Sequence, residues 1–262
     1  MAAAVSRELA DGEVCFIGLG TGGRAFTYAV GIPSTGVALA QRRGLDVVAQ
    51  YGVMVDAVIE DVPLDAGDPA LLGWRTRSLL PVEAGLDMFR TGHVDWGFLS
   101  AAQVDRYGNV NGVCIGAHDR PDVRLVGPIA QPDHAAYARR TMIIVPHERR
   151  VLVERVDFVS GLGHGRDGGE RARHRLPGSG PARVITDLAV LGFDAETRRM
   201  HVVSIHPGVP LDEVARRTGF PLDVPADVPR TPPPSEDEVR LVRTEIDARG
   251  VWLRGGVGAA VR

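Results

Sequence analysis

Lysine is absent from this chain: all 30 of its basic residues are arginine. No Schiff base and no lysine general base can therefore come from it. Cysteine is nearly absent as well. The two that occur, Cys15 and Cys114, sit inside apolar runs, which suits buried thiols and argues against a disulfide framework or a thiolate metal site. His118, His134 and His206 are scattered without an H-x-x-x-H spacing, so no metal is expected. No apolar run approaches the ~20 residues of a membrane span. Residues 1–13 lack the sustained apolar core of a signal peptide, so a cytoplasmic protein is expected. A net charge of −3 gives no reason to expect nucleic acid or an anionic membrane as a partner.

What is present is a chain of 262 residues, able to bury roughly 70–75 per cent of its unfolded surface in one core. Strands are expected at 13–17, 45–50, 96–99, 113–115, 141–145, 184–191 and 200–205, from short apolar runs bounded by turn residues. Helices are expected at 2–10, 33–42, 82–91, 134–140 and 212–218. A last helix should run from Ser235, where Ser-Glu-Asp-Glu makes a capping box, to about 247. Strand, loop and helix alternate through the first 145 residues. That order predicts an α/β fold with an open, largely parallel sheet and flanking helices. A single domain over 1–262 is expected, with a Gly/Arg-rich exposed loop at 161–183. A proline-rich strap, the last helix and a glycine-rich tail then occupy 221–262. In the loop, Arg166, Arg171, Arg173 and Arg175 either meet phosphate groups or form a solvated arm.

The first strand runs into Gly18-Leu19-Gly20-Thr21-Gly22-Gly23, which formally satisfies the dinucleotide pattern G-x-G-x-x-G. Two features argue against that reading. The next strand ends in Gln50-Tyr51-Gly52 rather than in the acidic residue that would hold a ribose, and Ile32-Pro33 interrupts what should be the first helix. The glycines instead let backbone amides approach an anionic or carbonyl group, or simply turn the chain.

The most informative stretch is 94–119. Two apolar runs flank Gln103-Val104-Asp105-Arg106-Tyr107-Gly108-Asn109-Val110-Asn111, and Gly108-Asn109 predicts a tight turn between them, closing a hairpin. Amides and a carboxylate crowd this turn. Either they only bond local backbone and close the turn, or Gln103, Asp105 and Asn109 orient the loop or position a water.

The string AAQVDRYGNVN (101–111) closely resembles the signature of class I CoA-transferases, in particular the glutaconate-type β subunits. The resemblance continues through GPARVITDLAVLGFD (180–194), VVSIHPGVPLDEVARRTGF (202–220) and TPPPSEDEVRLVRTEID (231–247), in family order. It implies a CoA-transferase-type fold and an α subunit of similar fold in an α2β2 assembly. The implied substrate is an acyl-CoA of dicarboxylic type, with coenzyme A part of the substrate and no other cofactor. In the family the loop lies beside the acyl-CoA site. That makes Gln103, Asp105, Gly108, Asn109 and Asn111 candidates there, together with Gly52 and the later turn at Gly127 and Ile129.

The family's chemistry is a double displacement. A glutamate just after the second strand, in a Glu-Ser-Gly or Glu-Asn-Gly motif, attacks the thioester and is acylated in turn. This chain departs from it. Gln50 or Gly52 falls at that place, depending on whether the motif glycine or its preceding tyrosine is aligned. No glutamate occurs between Glu13 and Glu60. The resemblance also implies a glycine-rich oxyanion turn where this chain has Gly127-Pro128-Ile129-Ala130, and proline brings no amide hydrogen. Three readings stay open: a transferase using Asp56 or a partner residue, a reuse of the fold for decarboxylation or hydrolysis of an acyl-CoA, and a non-catalytic scaffold subunit. In the reuse reading Gln50 and Tyr51 hydrogen-bond the acyl group, neutral Gln avoiding a buried unpaired charge.

Overall fold

Val14–Ile17 is a short apolar run, and it forms the first strand (β1) with Cys15, Phe16 and Ile17 buried. The protein is described by a computed structural model covering residues 1–19, 23–62 and 69–254. Gly20 to Gly22 of the glycine-rich turn, residues 63–68 and the glycine-rich tail from 255 lie outside the described residues. The rest falls into two units, Met1–Phe98 with the chain from Pro233, and Leu99–Pro232.

In the first unit, Ala2–Glu8 (α1) crosses a longer helical run at a bare glycine. A Cβ on Gly36 would stand 2.5 Å from Cγ1 of Val5. The run comprises Gly23–Phe26 (α2), a wide π turn Thr27–Gly31, and Ile32–Arg42 (α3). The expectation that Ile32-Pro33 interrupts a helix is corrected here. The Ile32 N–H bonds to Thr27 O, so the hydrogen-bond register changes just before Pro33. A proline in the first turn after such a change sacrifices no helical bond.

Val48–Tyr51 (β2) lies parallel to β1, with Ile17 beside Tyr51. It turns at Gly52 into antiparallel Met54–Ala57 (β3), which pairs with Thr76–Leu79 (β4). Val82–Arg90 (α4) follows, then Trp96–Leu99 (β5), parallel to β1 on its other side. The order is therefore β5-β1-β2-β3-β4. Beneath it, Phe26, Tyr51, Trp74 and Trp252 form an aromatic cluster, with ring centroids 4.8 Å apart for Tyr51–Trp74 and 6.0 Å for Tyr51–Trp252. Trp252 reaches the cluster through the last helix, Glu236–Leu241. The expected capping box between Ser235 and Glu238 opens that helix.

In the second unit, Gln103–Val104 (β6) pairs with Val110–Asn111 (β7), and Cys114–Ala117 (β8) with Arg120–Arg124 (β9). The expected hairpin between 96–99 and 113–115 is thereby corrected: β8 pairs forward with β9, while the polar loop closes on itself through β6 and β7. Gln131–Tyr137 (α5) leads to Arg140–Ile144 (β10), and Glu170–Arg173 (α6) lies within the 161–183 segment. Pro181–Ile185 (β11) runs parallel to β10, and Ala189–Phe193 (β12) and Met200–Ile205 (β13) follow antiparallel. One strand was expected at 184–191. The Thr186 hydroxyl instead accepts the amides of Leu188 and Ala189 and bends the chain into two. Leu211–Arg216 (α7) covers this sheet, packing Val214 among Ile143, Val184, Leu191 and Val202. The proline-rich strap lies along the edge strand β13, with bridges at His201–Asp223 and Ile205–Arg230, and so shields an edge that would otherwise invite pairing.

The fold is α/β as expected, a mixed sheet with flanking helices. In each unit parallel pairs give way to antiparallel strands on one side.

Candidate active site

Parallel strands of α/β sheets meet ligands at their carboxyl ends, and β2 ends in Gln50 and Tyr51, both fully buried. The Gln50 Nε2 donates to Gly52 O at 3.0 Å and to Gly85 O at 3.4 Å. Both neighbours are carbonyls, which fixes the amide: the nitrogen faces them and the oxygen faces away. That oxygen is buried without a hydrogen-bond partner among the described residues.

Tyr51 is equally committed. Its hydroxyl donates to Ser34 Oγ at 2.7 Å, Ser34 donates to Val30 O at 2.7 Å, and burial pushes the phenol well above its ordinary range. Gly52 differs from both. It has φ +58°, and a Cβ placed on it would meet nothing within 4 Å. A side chain at 52 would enter open space, whereas that of residue 50 is enclosed. Asp56, on β3 at φ +52°, is ion-paired to Arg77 at 2.8 Å.

The other candidates belong to the second unit. Asp105 is 5 % exposed and accepts the amides of Tyr107 (3.0 Å) and Asn109 (3.1 Å). The Asn109 side chain donates to both its oxygens at 3.1 and 2.8 Å. Burial raises the Asp105 pKa, and these hydrogen bonds work against the rise. Asn109 also reaches a distant segment, donating to Gly165 O at 3.1 Å and accepting from the Gly163 amide at 2.9 Å. Gly108 sits at the turn with φ +71°, and a Cβ there would clash with Pro181 and Phe193.

Gln103 and Asn111 are joined in the same way. Asn111 Nδ2 donates to Gln103 Oε1 at 2.8 Å, and Gln103 Nε2 donates to Asp157 at 2.9 Å. The turn is thus a closed polar network whose side chains are spent on each other and on backbone.

Gly127 (φ +97°) donates its amide to Gly112 O at 3.0 Å, and Pro128 O accepts from the Gln131 amide at 2.7 Å. The base of this loop is therefore held. Its tip is not: Ile129 is 72 % exposed at φ +37°, a conformation disfavoured for a β-branched residue.

The structure thus brings Gln50, Tyr51 and Gly52 together in one unit. In the other it brings together Gln103, Asp105, Gly108, Asn109 and Asn111, with Gly127 and Ile129 on a separate loop. Sequence reasoning missed Gly85, Ser34, Asp157 and Gly163. Gly85 had a signal, a glycine in the middle of a helical pattern. One arginine of the 161–183 segment is corrected: Arg171 is buried, donating to the carbonyls of Gly178, Ala136, Leu162 and Gly163, and burial lowers it to about 10. It pins the segment rather than reaching for phosphate. Among the described residues no group of three His, Cys, Asp or Glu is placed to hold a metal, and no helix is long and apolar enough to cross a membrane.

Comparison with known proteins bears directly on this geometry. The family model for coenzyme A transferase matches residues 1–217. The chain is 33 % identical to the β subunit of 3-oxoadipate CoA-transferase of Pseudomonas knackmussii, over 98 % of this chain and 95 % of that one. It is 30 % identical to the β subunit of glutaconate CoA-transferase of Acidaminococcus fermentans, over 88 % and 89 %. The crystal structure of that glutaconate CoA-transferase superposes with a TM-score of 0.83 at 27 % identity, covering 96 % of this chain and 95 % of the other. A cholesterol ring-cleaving hydrolase IpdB subunit of Rhodococcus jostii is 29 % identical over 74 % of each chain. With a family match over most of its length and two relatives at this level of identity, the chain belongs to the coenzyme A transferase family.

Proposed function

We propose that the chain is the β-type subunit of a two-subunit enzyme acting on an acyl-CoA of dicarboxylic type, in which the end of β2 binds the acyl group without attacking it. The observation that carries this is the chemistry of that strand end. It holds an enclosed amide spent on two carbonyls, a hydroxyl spent on Ser34, a bare glycine facing open space, and no carboxylate. The family's double displacement needs a carboxylate nucleophile. Asp56 is a poor surrogate because it sits on β3, beyond the Gly52 turn, where its carboxylate pairs with Arg77.

The reaction this favours needs no second carboxylic acid to accept CoA. In hydrolysis, water adds to the thioester carbonyl, the C–S bond breaks and the thiolate leaves with a proton. In decarboxylation of a glutaconyl-type thioester, the C–C bond to the terminal carboxylate breaks, CO2 leaves, and the electron pair is held in the conjugated thioester dienolate until it is protonated. Either would draw its acid–base group from an α-type partner, in an α2β2 assembly. The similarity to a ring-cleaving hydrolase subunit supports reuse of the fold for a reaction other than CoA transfer. The closed network around Asp105 and Asn109 then shapes the neighbouring loop rather than reacting.

The experiment is mass spectrometry of the co-expressed pair given a glutaconyl- or glutaryl-type acyl-CoA, with and without acetate. Free CoA, or a product lighter by one CO2, formed without acetate supports the reading. Acetyl-CoA formed only with acetate overturns it in favour of transfer. Full activity retained in both Gln50→Met and Asp105→Asn would instead indicate a subunit that only completes the partner's site.

A further inference from the structure

Glycine is a poor helix former, yet one stands in the middle of α4 at position 85. Its backbone surroundings explain it. A Cβ on Gly85 would lie 2.9 Å from the Gly52 carbonyl oxygen, 3.4 Å from its carbon and 3.7 Å from the Val53 Cα. All three are backbone atoms, which cannot swing aside as a long side chain can.

The same carbonyl oxygen is held from a second direction. Gln50 Nε2 donates to it at 3.0 Å and to Gly85 O at 3.4 Å. One amide therefore bridges the β2–β3 turn to the helix beside it. Leu80, on the approach to α4, donates its amide to Val53 O at 2.8 Å. Phe89 of α4 packs on Phe16 of β1 with ring centroids 4.5 Å apart, which holds the helix on the sheet. Both residues of the turn are thus tied to α4 or the segment entering it, and Gly52 stays open where a side chain would project.

We infer that Gly85 and Gln50 are positioning residues that act together on the Gly52 carbonyl, fixing the bare Gly52-Val53 backbone against which the acyl group lies. This rests on the reading that the end of β2 borders the acyl-CoA site. Gln50 keeps its amide although its oxygen has no hydrogen-bond partner among the described residues, a burden that an apolar side chain of the same shape would not carry. A misplacement of about 1 Å, even from a change away from the chemistry, can cost about a hundredfold in rate.

The test uses the co-expressed two-subunit complex, with turnover and calorimetric affinity measured for one acyl-CoA. Gly85→Ala adds the clashing methyl, and Gln50→Met removes the donor without adding bulk. Each is expected to lower kcat by about tenfold, with KM within about twofold and the melting temperature little changed. Because both act on one atom, the double variant should lose no more than the worse single variant. Losses that multiply, or that follow the melting temperature, indicate separate packing effects and overturn the inference, as does kcat within about twofold of wild type in either assembled variant. If Gly85→Ala fails to assemble, Gln50→Met alone decides by its kcat. A wild-type complex that neither binds nor converts an acyl-CoA rejects the functional reading itself, and the inference with it. An active wild type with unaffected variants rejects only the inference.

Discussion

The amide nitrogen of Asn109 donates to both carboxylate oxygens of Asp105, and the same side chain ties the turn to Gly163 and Gly165, more than fifty residues away in sequence. A local turn residue is thereby a tertiary fastener. Asn109→Ala should destabilise the protein by about 2–3 kcal/mol, since it leaves a buried carboxylate short of donors and frees three backbone groups, the Gly163 and Gly165 amides and the Gly165 carbonyl. Denaturant unfolding measures this. Unchanged stability with lost turnover would instead place Asn109 at the substrate.

Tyr51→Phe removes one buried hydroxyl. Ser34 keeps its own bond to Val30, so the expected cost is about 1 kcal/mol. Trp252→Ala empties the aromatic cluster and should cost about 3–5 kcal/mol. If the two variants unfold alike, the hydroxyl bond matters far more than this geometry suggests.

Stability should fall on the acid side through two histidines. His147 bonds Thr186 and Thr218, His164 faces Pro181 O, and burial lowers both to about 4. In the unfolded chain each titrates near 6.5. Native imidazoles stay neutral where unfolded ones take up a proton, so this contribution is complete above pH ~6.5 and declines as pH falls towards about 4. The slope approaches ~1.4 kcal/mol per pH unit for each group. His147→Asn should reduce that slope in a pH series of unfolding curves.

Positions 50 and 52 respond differently to glutamate. Gly52→Glu projects a carboxylate into open space, at about 1–2 kcal/mol of left-handed strain. It is expected to introduce acetate-dependent formation of acetyl-CoA. Gln50→Glu sets a carboxylate against two carbonyl oxygens; it should lower the melting temperature and yield no transfer. Transfer by the second variant and not the first would reverse the assignment of the missing nucleophile's place.

Ile129→Gly relieves a left-handed β-branched residue that is largely exposed. Thermal unfolding should show a gain of about 1 kcal/mol, because little packing is lost. A loss would mean that the isoleucine is held by contacts this conformation does not include.

Much of the architecture was legible beforehand because its signals are local. Apolar runs marked β1, β2, β5, β10 and β13, and the Ser235–Glu238 box opened the last helix where its spacing placed it. The misreadings share one cause. Pro33 follows a change of helical register, Thr186 bends a continuous apolar run, and β8 chose β9 as its partner over β5. In each case a hydrogen bond between particular groups overrode a composition pattern.

The sequence by itself determined the family, the alternation that makes an α/β sheet, and the lack of a carboxylate at the end of β2, since each is a property of residue order. Tertiary structure decided the rest. It enclosed Gln50 and left Gly52 bare, brought Gly85 against the Gly52 carbonyl, and turned Arg171 inward. These outcomes depend on distances between residues remote in the chain, which packing sets and spacing does not encode.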